Sequence, residues 1–184
     1  MPGQLETNLQ VAERIAALLA ERNLPAVVIG AVALAAHGYV RFTEDIDVGV
    51  NADLRQMRNI TEALRHQGYS VEFHEPDGDD PLGGVIDVSG PFGLVQIISF
   101  EDRFPIIIRD ALLGEDIRVS PGSSLRIAPI PQLVALKLYA GGLASYADIL
   151  ELLRRNPQVD LKELQDTCRR YRLQGLNKII EELR

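Results

Sequence analysis

Two acidic residues, Asp45 and Asp47, stand two positions apart in an otherwise apolar run that ends at Val50. Because side chains alternate along a strand, both carboxylates would lie on one face while Ile46 and Val48 point into a core. Two like charges this close repel each other unless a proton or a cation lies between them. The spacing therefore favours a divalent cation site, and carboxylate oxygens suit Mg²⁺ or Mn²⁺.

A glycine turn precedes the acid pair. The short apolar run from Ala26 to Ile29 ends at Gly30, and a helical stretch of small residues follows from Ala31 to Ala36. A strand that enters a helix at a glycine presents backbone N–H groups and the positive end of the helix dipole, which suit phosphate. A phosphate-favouring turn one strand away from paired carboxylates suggests metal-assisted phosphoryl or nucleotidyl transfer.

Three segments together resemble the signature of the nucleotidyltransferase-fold family, which is a Gly-Gly or Gly-Ser turn followed by Arg-x-Thr-x-Asp-x-Asp. They are Gly30-Ala31, Arg41-Phe42-Thr43 and Asp45-Ile46-Asp47. Within that family the chain resembles the bacterial AbiEii-like nucleotidyltransferases, which include toxin components of toxin–antitoxin pairs. The stretch from Leu133 to Leu153 is also similar to the family's Leu-x-x-Lys-x-x-Ala-Gly helix and the Asp-bearing helix after it.

The resemblance implies a metal-dependent enzyme that moves a nucleoside monophosphate from a nucleoside triphosphate (NTP) to a hydroxyl group on RNA or protein. Asp45 and Asp47 would hold Mg²⁺ or Mn²⁺, and Gly30 and Ala31 would offer backbone N–H groups to the phosphates. A toxin-type enzyme would also have an antitoxin-like partner.

Two cationic residues would neutralise the leaving pyrophosphate in this interpretation. Arg41 has a fork of donors suited to phosphate, and Lys137 is the only charged residue between Pro131 and Ala147. Lysine is rarely buried without a partner, so Lys137 points either into a polar cleft or along the surface. Thr43 would orient the acid strand or a phosphate oxygen, unless it is an ordinary strand residue.

Asp148 has two interpretations that the sequence leaves open. It follows Ser145 by three positions, the spacing of a capping box at the start of a helix. The family resemblance instead makes Asp148 an acid near the nucleotide site.

Two departures from the family pattern bear on activity. Gln96 stands where a third acid is expected, and an amide can position a ligand but adds no negative charge. Asp87 and Glu101 lie close enough in sequence to be considered as substitutes. Ala31 replaces the second small residue of the glycine turn. These features favour an alternative in which the fold has lost turnover and acts as a binding or regulatory protein; a purely structural domain ranks last.

The elements around these residues indicate an α/β (α+β) fold with a small mixed sheet, flanking helices and a C-terminal helical segment. Hydrophobic periodicity predicts helices over 5–22 and 51–67, with Thr7 or Asn8 capping the first and Asn51 the second. Residues 69–74, 85–88 and 94–100 are predicted strands, and 103–113 is either a helix or a strand. We expect a nucleotidyltransferase-like core over 1–128 and helices over 129–184.

Two charged clusters invite functional interpretations that we consider weaker. Asp77, Asp79 and Asp80 lack the terminal glutamate and ligand spacing of a calcium loop, so we interpret them as a solvated turn. We interpret the densest basic cluster as a solvated face, with an acceptor-RNA or antitoxin contact as the functional alternative; its members are Arg154, Arg155, Arg169, Arg170 and Arg172.

Composition limits the remaining classes. The 184 residues carry a formal net charge of −7, which argues against long non-specific nucleic-acid binding. The single cysteine, Cys168, excludes an internal disulfide. No apolar run is long enough to span a membrane, and the first ten residues lack a signal-peptide pattern. We expect a cytoplasmic protein.

Overall fold

The computed structural model describes residues 6–78 and 80–183. The predicted helix start at Leu5 and the acid Asp79 lie outside the described residues. Within them the elements follow one another as α1 (Asn8–Ala20), β1 (Val27–Ile29), α2 (Gly30–Ala36), β2 (Asp45–Val50), α3 (Leu54–His66), β3 (Ser70–His74), β4 (Val85–Gly90), β5 (Gly93–Ser99), α4 (Pro105–Leu113), β6 (Arg126–Ile127), α5 (Ile130–Ala140), α6 (Gly142–Arg155), α7 (Leu161–Arg170) and α8 (Leu176–Glu182).

The six strands form one mixed sheet in the order β3-β4-β5-β2-β1-β6. β2 is parallel to β5 on one side and antiparallel to β1 on the other. β4 pairs antiparallel with both β5 and β3, and the short β6 runs parallel to β1. β2 therefore lies between the strand that leads into α2 and the strand that carries the predicted third position.

Alternation along the strands divides their side chains between two faces of the sheet. Ile46 and Val48 are buried, and Ile97 of β5 lies beside Val48 on the same face. Asp45 and Asp47 extend from the opposite face, where both are half-buried. The predicted period-two pattern of β2 is thus confirmed.

Helices cover the sheet unevenly and leave part of the acid face open. α1 packs against β2 and β5, α3 against β3, and α4 against β1. α5 contacts α2, α4, α6 and α7. On the acid face, β3 and β4 expose Ser70, Glu72, His74 and Ser89 to solvent. No helix in the described part of the chain is long and apolar enough to cross a membrane.

Several predicted details differ in the structure. The cap of α3 is Asp53, which forms a capping box with Gln56, while the Asn51 side chain donates to the Pro105 carbonyl at 2.8 Å. The apolar spacing of α3 and α7 places Leu54 and Leu161 on the same helix face as buried residues, yet they are 38% and 39% exposed, because each is the first residue of its helix. The ambiguous segment 103–113 contains helix α4, which starts at a proline where a missing N–H costs little.

Candidate functional site

Asp47 lies directly against the glycine turn. Its register partner across the β1–β2 pair is Ile29, so Gly30 follows at the neighbouring position. Gly30 has φ +67°, and a Cβ on this residue would lie 1.8 Å from Asp47 Oδ2. Only glycine therefore fits here, for reasons of both backbone conformation and space. The buried Ala31 follows as the second residue of α2.

The Asp47 carboxylate lies in surroundings that affect its ionisation. Burial raises the pKa of Asp47 above its usual value, and the neighbouring Asp45 carboxylate raises that pKa further. Lys137 and Arg41 act in the opposite direction because they are positive charges close to Asp47. A cation bound between the two carboxylates would offset the repulsion between them.

Lys137 and Arg41 converge on Asp148. Lys137 Nζ is 2.7 Å from Asp148 Oδ2, and Arg41 Nη2 is 3.7 Å from the same oxygen. The Asp148 side chain is only 6% exposed. α6 begins at Gly142 with no side-chain cap, so Asp148 lies inside the helix and its capping-box interpretation is wrong. Its carboxylate instead balances the two cations beside Asp47.

The loop before β2 is tied to the acid strand by Thr43. The Thr43 hydroxyl accepts from the Asp45 N–H at 3.2 Å and is 3.3 Å from the Asp45 carbonyl, to which it can donate. This contact sets the direction in which the chain enters β2. Arg41 lies before Thr43 on an exposed part of the same loop. Its guanidinium group contacts the carboxylate of Asp148 in α6.

A chain of hydrogen bonds continues across the sheet from the third position. Gln96 on β5 is the register partner of Asp47 on β2 and also of Asp87 on β4. Gln96 Nε2 donates to Asp87 Oδ1 at 2.8 Å, and His74 Nε2 lies 3.1 Å from Asp87 Oδ2. Sequence reasoning missed His74. Its alternation with Glu72 along β3 signals a polar face, but the contact with Asp87 depends on strand register.

Glu101, the other considered substitute for a third acid, is distant from the pair. It follows the end of β5, where Ser99 is the register partner of Val50. From Gln96 to Ser99 the strand rises by about 10 Å, so Glu101 lies beyond the opposite end of β2 from Asp45. Asp87, by contrast, shares both the face and the register row of Asp47.

A mostly apolar cavity of about 300 Å³ opens beside Asp47. The sheet contributes Asp47 and Ile98, α2 contributes its first residue Gly30, and α5 contributes the opposite wall with Lys137. The remaining lining side chains are mainly apolar and include Ile29, Leu82, Phe100, Leu133 and Leu136. The arrangement places one carboxylate and one ammonium at the edge of a space suited to a ring of low polarity.

Two members of the basic cluster found in the sequence are paired locally. Arg154 pairs with Glu151, and Arg169 pairs with Asp166, in each case within one helical turn. Burial raises the pKa of Cys168 to about 11, so its thiol remains protonated near neutral pH.

Asp45 and Asp47 are the residues whose oxygen atoms suit a metal ion. Among residues 6–78 and 80–183, no group of three or more acidic, histidine or cysteine side chains is arranged to hold a metal. Mg²⁺ commonly uses only one or two carboxylates and completes its shell with water and substrate phosphates. The donor set thus fits an ion that arrives with a nucleotide.

No protein-family model matches this chain, and no curated protein shows significant sequence similarity to it. Solved structures show its fold. The solution structure of the antibiotic-resistance factor ANT(2″)-Ia aligns with a TM-score of 0.55 at 19% identity, over 89% of this chain and 90% of that chain. The crystal structure of ANT(2″)-Ia in complex with adenylyl-2″-tobramycin gives a TM-score of 0.56 at 15% identity, over 89% and 96%.

A third similar structure is an antigenic nucleotidyltransferase-like protein from Paracoccidioides brasiliensis. It aligns with a TM-score of 0.53 at 18% identity and covers 89% of this chain and 86% of that chain. The mixed sheet and its helices are therefore a nucleotidyltransferase-like fold, as the resemblance in the sequence implied. At these identities the comparison supports the architecture and leaves the AbiEii-like subgroup a prediction.

Proposed function

We propose that this protein is a metal-dependent nucleotidyltransferase that moves a nucleoside monophosphate from an NTP to a hydroxyl acceptor. One observation carries the proposal. Asp45 and Asp47 share a sheet face, and Asp47 lines a cavity whose opposite wall bears Lys137. Paired carboxylates facing a cation across a cleft are suited to a magnesium-bound triphosphate.

Gly30 supports the proposal because it lets the Asp47 carboxylate lie directly against the turn, where a Cβ at residue 30 would lie 1.8 Å from Asp47 Oδ2. The raised pKa of Asp47 gives a second reason, because a cation between the two carboxylates would relieve their repulsion. When bound there, Mg²⁺ or Mn²⁺ would supply neutralisation of the negative charge that develops as the α-phosphorus is attacked.

Lys137 and Arg41 would bind the β- and γ-phosphates and stabilise the pyrophosphate as it leaves. Asp148 holds both cations in place, since its buried carboxylate contacts each of them. A triphosphate would share these cations with Asp148. Backbone N–H groups of Gly30 and Ala31 would lie beside the same phosphates, and Thr43 would keep Asp45 in line with them.

The apolar cavity is our proposed place for the nucleoside. Its walls carry few groups that could hydrogen-bond to a base edge, since most lining side chains are aliphatic or aromatic. Binding there would depend on contact area, which differs little among the four bases. We therefore expect ATP, GTP, CTP and UTP to bind with affinities within about tenfold of one another, a difference of about 1.4 kcal/mol.

A second candidate function is nucleotide binding without transfer, as a regulatory module. Gln96 is the specific observation that favours it, because this amide occupies the strand position beside Asp47 where a further carboxylate would complete the acid set. Such a protein would bind the magnesium nucleotide through the same residues and release it unchanged.

The deciding experiment separates binding from transfer. Calorimetry with each NTP in the presence of Mg²⁺ tests binding, and incubation with α-labelled NTP and total RNA or protein tests transfer. The Asp45→Asn/Asp47→Asn double variant should lose both activities. Glu44→Gln is the matched control, because it removes one exposed charge next to the pair. Binding without transfer to any acceptor would favour the regulatory candidate, and no binding at all would refute both.

The finer assignment, an AbiEii-like toxin with an antitoxin-like partner, is supported by the sequence resemblance alone. A toxin that modifies RNA or protein would arrest growth when it is expressed without its partner. Expression of the wild type and of the Asp45→Asn/Asp47→Asn variant tests this assignment. Equal growth of the two cultures would count against a toxin while leaving the transfer reaction itself open to the assays above.

A further inference from the structure

The direction from which an acceptor must approach follows from the sheet order. In phosphoryl transfer the attacking and leaving oxygens lie roughly in line on opposite sides of the phosphorus. The proposed phosphate side is next to β1, because Gly30 follows β1 and α5, which carries Lys137, packs against α2. The attacking hydroxyl must then come from the other side of β2, over β5 and β4.

The open face on that side carries a row of polar side chains in register. Asp47, Gln96, Asp87 and Glu72 are successive partners on β2, β5, β4 and β3. Neighbouring strands are about 4.8 Å apart, so the Cα atoms of Asp47 and Asp87 are separated by about 10 Å. An attacking oxygen about 3 Å from a phosphorus at Asp47 would lie over Gln96 on β5, on the side of Asp47 from which Asp87 approaches.

Asp87 is held more firmly than an ordinary surface acid. Gln96 Nε2 donates to one of its oxygens at 2.8 Å and His74 Nε2 lies 3.1 Å from the other, while its side chain is 26% exposed. A carboxylate only accepts hydrogen bonds, so the Gln96 amide must turn its NH₂ group towards Asp87. Each carboxylate oxygen has a second lone pair, so Asp87 can still accept from a further hydroxyl.

We propose that Asp87 is the base that activates the acceptor hydroxyl in this chain, with Gln96 and His74 as positioning residues. This inference rests on the proposed nucleotidyl transfer. It explains what Gln96 does at a position where a carboxylate is expected. The Gln96 amide positions Asp87, which lies on β4, one strand further from Asp47 than Gln96 does. The acceptor would therefore bind over β4.

The proposed step balances without any further reagent. The acceptor O–H bond breaks and its proton passes to Asp87, while the oxygen forms a bond to the α-phosphorus. The bond from that phosphorus to the bridging oxygen of pyrophosphate breaks, and pyrophosphate carries away the electron pair. Asp87 then releases the proton to solvent. The neighbouring His74 side chain is half exposed, so the Asp87–His74 pair is in contact with that solvent.

Water can replace the unidentified acceptor in a direct test. Purified protein is incubated with Mg·ATP, and pyrophosphate release is measured beside the dissociation constant of Mg·ATP. Asp87→Asn should reduce release by about a hundredfold or more, the usual effect of removing a general base. Its affinity for Mg·ATP should stay within about threefold of the wild type, since Asp87 lies on the acceptor side.

Glu72→Gln is the matched control, because Glu72 is the next carboxylate in the same register row and lies outside the proposed machinery. It should release pyrophosphate at the wild-type rate. Gln96→Ala should lower the rate without weakening Mg·ATP binding, which a purely structural role would not predict.

Release by Asp87→Asn within threefold of the wild type would overturn the inference. A wild-type protein that binds Mg·ATP yet releases no pyrophosphate, even with total RNA and protein present as acceptors, would instead refute the proposed transfer on which the inference rests. Failure of the wild type to bind Mg·ATP is a different result, because that outcome refutes the proposed function itself.

Discussion

Gly30 and Asp47 are in direct contact, with no room for a side chain between them. A Cβ at residue 30 would lie 1.8 Å from Asp47 Oδ2 and 2.8 Å from Asp47 Cγ. Neither distance is compatible with non-bonded atoms. The backbone at the end of β1 and the Asp47 carboxylate of β2 are therefore in van der Waals contact. Gly30 and Asp47 both line the cavity beside Lys137.

Gly30→Ala tests this contact. We expect a loss of unfolding free energy and a loss of Mg·ATP affinity of at least about tenfold, because Asp47 must rotate away from the site. Gly38→Ala is the matched control, because Gly38 also has a positive φ of +85° and a Cβ there meets nothing within 4 Å. The control should lose only about 1 kcal/mol from backbone strain. Urea denaturation and calorimetry measure the two effects, and equal losses in both variants would contradict the contact's importance.

Asp47→Asn should stabilise the protein at neutral pH and abolish the proposed nucleotidyl transfer. Burial and Asp45 raise the pKa of Asp47 in the folded state above its ordinary value of 3.8. Stability linked to this group is therefore complete below pH 3.8 and is lost as the pH rises through the higher, folded-state pKa. Asparagine at this position does not ionise, so the variant does not lose stability as the pH rises.

Urea denaturation of both proteins across this pH range measures the difference. The advantage of Asp47→Asn should be present at pH 7 and should disappear towards pH 3.8 and below. Added Mg²⁺ should stabilise the wild type and leave the variant unchanged. A variant that is less stable than the wild type at pH 7 would show that the Asp47 carboxylate is already compensated by protein groups.

Lys137→Met should destabilise the fold by about 3 kcal/mol, because it removes the closest partner of a buried carboxylate. Asp148 would be left with Arg41 at 3.7 Å, a weaker contact than the 2.7 Å one to Lys137. Asp148→Asn in the Lys137→Met background should recover most of the loss. Urea denaturation of the two single variants and the double variant measures the coupling, which we expect at about 1 to 3 kcal/mol. Additive effects would mean that the ion pair contributes nothing of its own.

Gln96→Asp should create a three-carboxylate site together with Asp45 and Asp47. We expect binding of Mn²⁺ without nucleotide to become at least about tenfold tighter, because a third charged oxygen donor joins the set. The metal-free variant should be less stable than the wild type, since like charges then stand side by side in register. Gln96→Asn is the control, as it has the same length as aspartate without the charge. Calorimetry with Mn²⁺ decides the point, and equal affinities in the two variants would place residue 96 outside the metal site.

The sequence alone predicted the residues whose chemistry is encoded locally. Alternation in β2 assigns Asp45 and Asp47 to one face, and a strand that ends at Gly30 indicates a turn before α2. These predictions succeed because side-chain direction in a strand depends only on residue parity. The order of helices and strands, and hence the fold class, follows from the same short-range patterns.

Strand register and helix packing decided the rest, and neither is written in short-range spacing. Asp87, Gln96 and His74 meet only because three strands pair in one register, and a shift by one residue would move each side chain to the other face. Asp148 has the spacing of a helix cap, yet α6 starts earlier, at Gly142, and places its carboxylate beside Lys137 of α5. Local sequence selects which groups are available, whereas long-range pairing selects which of them touch, because contacts between distant segments depend on how the whole core packs.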